Sequence, residues 1–271
     1  MRIVALEQVS KTYGQRVALS PISLSIAEGE AIAIVGPSGS GKTTLLHLMA
    51  GVIRPDSGTV KLRNIDLSTL HPGRELSSLV GVIHQQFDLV PNLSVVLNVM
   101  AGRLGQWSLW RSLVSLVSPR DRHLAETALE RVGIADRLSE RASLLSGGEQ
   151  QRVAIARLLV QDPAIIVADE PVASLDPARA DDLTRLLAAI AGESDKTLIA
   201  ALHSVELARA YFSRVIGLRN GGVRFDVPIE HLTDEMLRDL YNLEGLAVTS
   251  GPVEGDIVSS DRQTPLSPKG R

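Results

Sequence analysis

The stretch Gly36-Pro37-Ser38-Gly39-Ser40-Gly41-Lys42-Thr43 decides how the rest of the chain is read. Its glycines let the backbone curl until successive N–H groups point inward at an anion. Ala31 to Val35, just upstream, is an apolar run that breaks at Gly36 and reads as a buried parallel strand. Thr43 to Ala50, just downstream, reads as a helix that Gly51 is placed to end. A helix opening at this loop presents its N-terminus to the same anion. Strand, loop and helix in that order separate a phosphate-binding loop from an ordinary glycine-rich turn. In this setting Gly36, Pro37, Ser38, Gly39, Ser40, Gly41, Lys42, Thr43 and Thr44 are the candidate nucleotide contacts. The lysine is expected to reach the β- and γ-phosphates, and the Thr43 hydroxyl to ligate Mg²⁺.

Further apolar runs extend the pattern outward. Ile22, Leu24 and Ile26 alternate with small polar residues, as a half-buried strand does. Arg54-Pro55-Asp56-Ser57-Gly58 reads as a turn. Ile165 to Ala168 and Thr197 to Leu202 read as buried strands with helices between them. Strands alternating with helices predict an α/β fold with a mainly parallel sheet covered on both faces. The Ile165 strand ends in Asp169 and Glu170. A strand tip beside the phosphate loop would put Asp169 near Mg²⁺, directly or through water, and Glu170 where it polarises an attacking water.

Residues 89–160 read instead as helices and loops, with helices at Asp121 to Val132 and Glu149 to Gln161, and are expected to form an inserted helical subdomain. From about Thr249 to Arg271 the chain is rich in Ser, Pro, Gly and charge, which predicts a disordered tail. The expected organisation is a domain over 1–248, with a core at about 1–88 and 161–248, followed by the tail at 249–271.

Composition narrows the function classes. The chain has 271 residues, 44% of them hydrophobic, and a net charge of −3, unlike the basic domains that bind nucleic acid. It has no cysteine, which excludes disulfides and thiolate metal sites. No apolar run approaches the roughly 20 residues that cross a bilayer, and the first residues do not read as a signal peptide. Any membrane role would pass through another protein.

Ser146-Gly147-Gly148-Glu149 has two readings that coexist. Ser followed three residues later by Glu is the capping-box pattern. Two glycines in the first helical turn cost helix stability, but they bare N–H groups at a helix N-terminus, a second place for a phosphate. Two phosphate-binding ends on one chain point to two chains sharing each nucleotide.

Here the residues resemble a known family. Leu145-Ser146-Gly147-Gly148-Glu149-Gln150-Gln151-Arg152 is similar to the signature of the ATP-binding cassette (ABC) ATPases, and the resemblance runs over roughly residues 1–245. It implies a P-loop NTPase core of the ABC ATPase type, with an N-terminal antiparallel β subdomain and an inserted helical subdomain. It also implies ATP and Mg²⁺ as ligands. Tyr13 matches the aromatic that stacks on adenine. Gln85, rather than the adjacent Gln86, matches the glutamine that touches Mg²⁺ or water and joins the core to the helical subdomain. The Ser174-Leu175-Asp176 stretch matches the loop that crosses the dimer interface, and His203 the histidine that contacts the γ-phosphate.

The resemblance therefore implies Lys42, Gln85, Glu170 and His203 as catalytic residues, and Thr43, Gln85 and Asp169 as metal contacts. It gives Ser146, Gly147, Gly148 and Asp176 as contacts to a partner chain's ATP. It implies a homodimer on the cytoplasmic face of the cell membrane, joined to permease subunits and an outer substrate-binding protein.

The stretch Gly102 to Leu113, together with Phe87-Asp88-Leu89-Val90 and Leu202 to Arg209, is similar to the ATPase subunits of phosphonate importers. Ala201 and Val227 depart from that pattern, standing where Asn and Gly are expected, and Glu149 is a common variant of a Gln; none removes a catalytic group. Other cargo, an export system, or a soluble ABC protein are the competing readings. Trp107 and Trp110 are read either as packing inside the helical subdomain or as part of a socket for the permease.

Overall fold

The structure, a computed structural model, describes residues 1–70, 73–84, 88–106, 121–173 and 175–241. Gln85, Gln86, Phe87, Trp107, Trp110, Ser174 and the tail after Thr249 lie outside the described residues, so the expectations placed on them stay at the level of sequence.

The strand expected at Ala31 to Val35 is β3 (Ala31–Val35), with a parallel neighbour on each side. One neighbour is β8 (Thr197–Ala201); beyond it lies β7 (Ile165–Asp169) and then β6 (Val80–Ile83). The other neighbour is β9 (Arg214–Arg219), which turns back into β10 (Gly222–Pro228) as an antiparallel edge hairpin. A second, antiparallel sheet has the order β2-β1-β4-β5, formed by β1 (Arg2–Tyr13), β2 (Arg16–Ala27), β4 (Ser57–Leu62) and β5 (Ile65–Asp66). The turn expected over Arg54 to Gly58 is corrected here. Ser57 and Gly58 already belong to β4, and Gly58 has φ 78° where the strand passes close to the Glu7 and Gln8 carbonyls.

The period of two along the buried strands sorts the core into two layers. Ile32, Ile34, Ile165, Val167 and Ile199 face the antiparallel sheet and helix α1 (Lys42–Met49). Ala33, Val35, Ile166, Ala168 and Leu198 face the opposite way, into the cluster that holds Val99, Leu129, Val153, Leu183 and Ala208. Both faces of the six-stranded sheet are therefore covered, which is why its strands read as continuous apolar runs.

Helix α2 (Arg74–Leu79) precedes β6. In the stretch expected to be helical, α3 (Val95–Met100), α4 (Arg122–Arg131) and α5 (Gly147–Gln161) pack on one another. Their buried faces (Val99, Leu129, Val153) join the same apolar cluster as the underside of the sheet. Helix α5 begins two residues earlier than the glycines led the sequence to suggest. The capping box compensates for their low propensity: Glu149 N–H donates to Ser146 Oγ, and Ser146 N–H donates to Glu149 Oε2 at 2.9 Å. Helices α6 (Pro177–Glu193), α7 (Val205–Tyr211) and α8 (Asp234–Tyr241) complete the described chain.

Candidate active site

Strand register brings the site together. Ile34 of β3 is paired with Ala201 of β8, and Ala201 is paired with Asp169 of β7. The ends of three adjacent parallel strands therefore lie level. The loop after β3 carries Gly36 to Gly41, the end of β7 carries Asp169 and Glu170, and His203 follows β8. Neighbouring strands are about 4.8 Å apart, so β3 and β7 stand roughly 10 Å from each other, a gap that side chains from α1 can bridge.

The phosphate loop needs glycine for reasons of space as well as conformation. At Gly36 (φ 151°) a Cβ would stand 2.0 Å from the Leu218 carbonyl oxygen, and at Gly41 (φ 107°) 2.6 Å from that of Ala18. The loop is thus wedged between β2 and β9. Lys42 is only 4% exposed; its ammonium donates to the Gly36 carbonyl at 3.0 Å and the Pro37 carbonyl at 3.3 Å. It also lies 3.7 Å from Glu170 Oε1. The Thr43 hydroxyl donates to Asp169 Oδ1 at 3.2 Å, linking α1 to β7.

Asp169 is 7% exposed, and burial pushes its carboxyl above the usual range; the Thr43 hydrogen bond opposes the shift, and the neighbouring Glu170 charge adds to it. Glu170 adopts φ 50°, a left-handed conformation that side chains other than Gly, Asn and Asp seldom take. The kink lets two consecutive acids do different jobs: Asp169 finishes the strand, while Glu170 turns its carboxylate to His203 Nε2 at 2.7 Å.

Lys42, Thr43, Thr44, Glu170, His203 and Tyr13 line one cavity of about 360 Å³, with Ser38, Gly39 and Gly41 on its loop side. Tyr13 is half exposed at its mouth, with the Lys11 ammonium 5.7 Å from the ring centroid. Lys11 is held by Asp56 at 2.7 Å. That hydrogen bond, with one from the Thr12 N–H, holds the Asp56 carboxyl below the usual range. Ser146, Gly147 and Gly148 do not line this cavity, nor does Asp176, which caps α6 by accepting the Arg179 N–H at 3.1 Å.

Sequence reading missed several residues here. Arg16 lines the same cavity and donates from Nη2 to the Gly39 carbonyl at 3.3 Å; its place three residues after Tyr13, across a hairpin, was the available signal. His47 lies one helical turn after Thr43 on α1, with its ring 5.7 Å from that of His84. Among the described residues its buried Nε2 has no hydrogen-bond partner, and burial lowers its pKa against the opposing pull of the Asp169 charge. Gln151 donates to the Pro171 carbonyl at 2.8 Å, tying α5 to the turn after Glu170.

An all-oxygen donor set, Thr43 Oγ1 with the buried Asp169 carboxylate, suits a hard divalent cation such as Mg²⁺.

Comparison with known proteins gives the family. A family model described as ABC transporter matches residues 19–173. A Pseudomonas putida protein, phosphonates import ATP-binding protein PhnC, is 46% identical over 253 residues, which cover 92% of this chain and 94% of that one. The Pseudomonas aeruginosa phosphonates import ATP-binding protein PhnC 1 is 45% identical, with 90% of this chain and 91% of that one covered. Among solved structures, the dimeric ATP-binding cassette MJ0796 in a post-hydrolysis state bound to ADP and Pi superposes with a TM-score of 0.73 at 32% identity, covering 85% of this chain and all of that one. The ADP conformation of the cassette MJ1267 gives 0.75 at 26% identity, covering 89% of this chain and 95% of that one. With the matched model spanning more than half its length, the chain belongs to the ABC transporter family.

Proposed function

We propose that the chain is the ATP-binding and ATP-hydrolysing subunit of an importer for phosphonates or a close phosphorus oxyanion, working as a pair with Mg²⁺ and driving a membrane permease. The observation that carries the ATPase reading is the convergence of Lys42, Thr43, Asp169, Glu170 and His203 from three strand ends. The cargo reading rests on near full-length similarity to proteins named for phosphonate import.

Each residue has a part that its geometry supports. Lys42 has three N–H donors and gives two of them to loop carbonyls, so it stands ready to re-aim one at an entering phosphate. Thr43 and Asp169, with Gln85 from the sequence pattern, would hold Mg²⁺, which supplies charge neutralisation on the phosphate oxygens. Glu170 takes the proton of the attacking water on its carboxylate, and His203 fixes that carboxylate through Nε2 and faces the terminal phosphate. Tyr13 stacks on the base at the mouth.

Ser146, Gly147, Gly148 and Asp176 lie outside this cavity, which supports their serving the nucleotide of a second chain. Helices α3, α4 and α5 belong to the arm through which the permease is moved. Among the described residues no helix is long and apolar enough to cross a membrane, so the permease supplies the crossing. An outer substrate-binding protein, delivering cargo to that permease, completes the assembly.

The test is growth of a deletion strain that has an intracellular phosphonate-cleaving enzyme and no second importer. It should fail with a phosphonate as sole phosphorus source and grow normally on phosphate. Unchanged phosphonate uptake would overturn the cargo reading.

A further inference from the structure

Ser146 has a single hydroxyl proton, and here it is given to Glu149: Oγ donates to Glu149 Oε2 at 2.7 Å. The other carboxylate oxygen, Oε1, accepts from Arg137 Nε at 3.0 Å. Arg137 also donates from Nη1 to Glu140 Oε1 at 2.8 Å and lies 3.4 Å from Asp136 Oδ2. One guanidinium thus serves three carboxylates beside the N-terminus of α5. The Ser146 hydrogen bonds, and then the Arg137 charge, hold the Glu149 carboxyl below its usual range, so it is an anion at neutral pH.

A terminal phosphate arriving from a second chain meets a serine whose proton already belongs to an anion. A carboxylate is a strong acceptor and repels another anion at short range. Glutamine at the same position keeps the capping box but removes the charge.

We propose that Glu149 and Arg137 are positioning residues for the partner chain's nucleotide. Glu149 competes with the terminal phosphate for the Ser146 proton, and Arg137 weakens that competition by neutralising Glu149 and its acidic neighbours. The proposal rests on the two-chain reading given above. It makes the strength of ATP-driven pairing a quantity set by the ion pair between Arg137, in the turn Ala135–Arg137, and Glu149 in the first turn of α5.

The experiment measures Mg-ATP-driven association of full-length chains by analytical ultracentrifugation in a Glu170→Gln background, where hydrolysis does not undo the pair. Apo melting temperatures are recorded alongside. An exposed ion pair changes each shared site about three- to fivefold, and a pair of chains has two such sites, so shifts of roughly tenfold are expected. Glu149→Gln should tighten association by that amount and Arg137→Met should weaken it. The double variant should lie near Glu149→Gln, because the carboxylate that holds the Ser146 proton, and through which Arg137 acts on it, is gone. A capping role alone would instead move the melting temperature and leave the ATP dependence where it was.

Glu149→Gln pairing no more tightly than its parent overturns the proposal, as does an Arg137→Met loss that persists in full in the double variant. If the Glu170→Gln parent does not pair at all in Mg-ATP, the two-chain reading falls and takes this one with it. If the parent pairs and only the ordering of variants fails, the two-chain reading stands alone.

Discussion

At the residue scale the decisive feature is Glu170, whose backbone is left-handed and whose carboxylate meets His203. Such a conformation carries a strain of about 1 kcal/mol or more, held by the surrounding structure. Glu170→Gln keeps the shape of the side chain and removes its ability to take a proton. Turnover, measured as phosphate release, should fall by about 10²–10⁴-fold, the usual contribution of a positioned base, while ATP binding by equilibrium titration is retained. Unchanged turnover would remove Glu170 from the chemistry.

At the scale of the element, the cap of α5 links stability to pH. The folded-state pKa of Glu149 is lowered, chiefly by its hydrogen bonds with Ser146. In the window between the lowered value and the ordinary glutamate value, the unfolded chain binds the extra proton. Stability therefore rises with pH across that window, is fully present above the ordinary value, and is lost as pH falls through the lowered one. Glu149→Gln should melt about 1–2 °C below the parent at neutral pH, a fraction of a helix cap for a chain of this size. The gap should close in acid; a gap of equal size at every pH would show that the carboxylate charge contributes nothing.

On the scale of the whole molecule, the separation of Ser146 from the cavity that holds Lys42 predicts complementation. Lys42→Ala removes the buried ammonium of the phosphate loop and should abolish turnover. Ser146→Arg should leave ATP binding by the single chain intact and also block turnover. Mixed together, half of the pairs are hybrids, each with one doubly damaged and one intact site, so activity should return to about a quarter of the parent level. A mixture as inactive as its components would mean that Ser146 acts within its own chain.

The sequence by itself determined what is local. The loop from Gly36 to Thr43 was legible because its backbone path tolerates only glycine at Gly36 and Gly41. Asp169 and Glu170 were legible because they end a short apolar run whose length identifies a buried strand beside the phosphate loop, whereas His203 after its strand was legible only through the family resemblance. The cap at Ser146 was legible because capping is settled within four residues. The tertiary structure alone decided what depends on register and on packing between distant segments. Pairing of Ile34 with Ala201 and of Ala201 with Asp169 sets three strand ends level, and no window of sequence contains that alignment. The same holds for Arg16 against Gly39, His47 behind Asp169, and Arg137 on Glu149. These are polar contacts between segments joined only by the fold, and an arginine or histidine in an ordinary loop or helix carries no periodic signal of the partner it will meet.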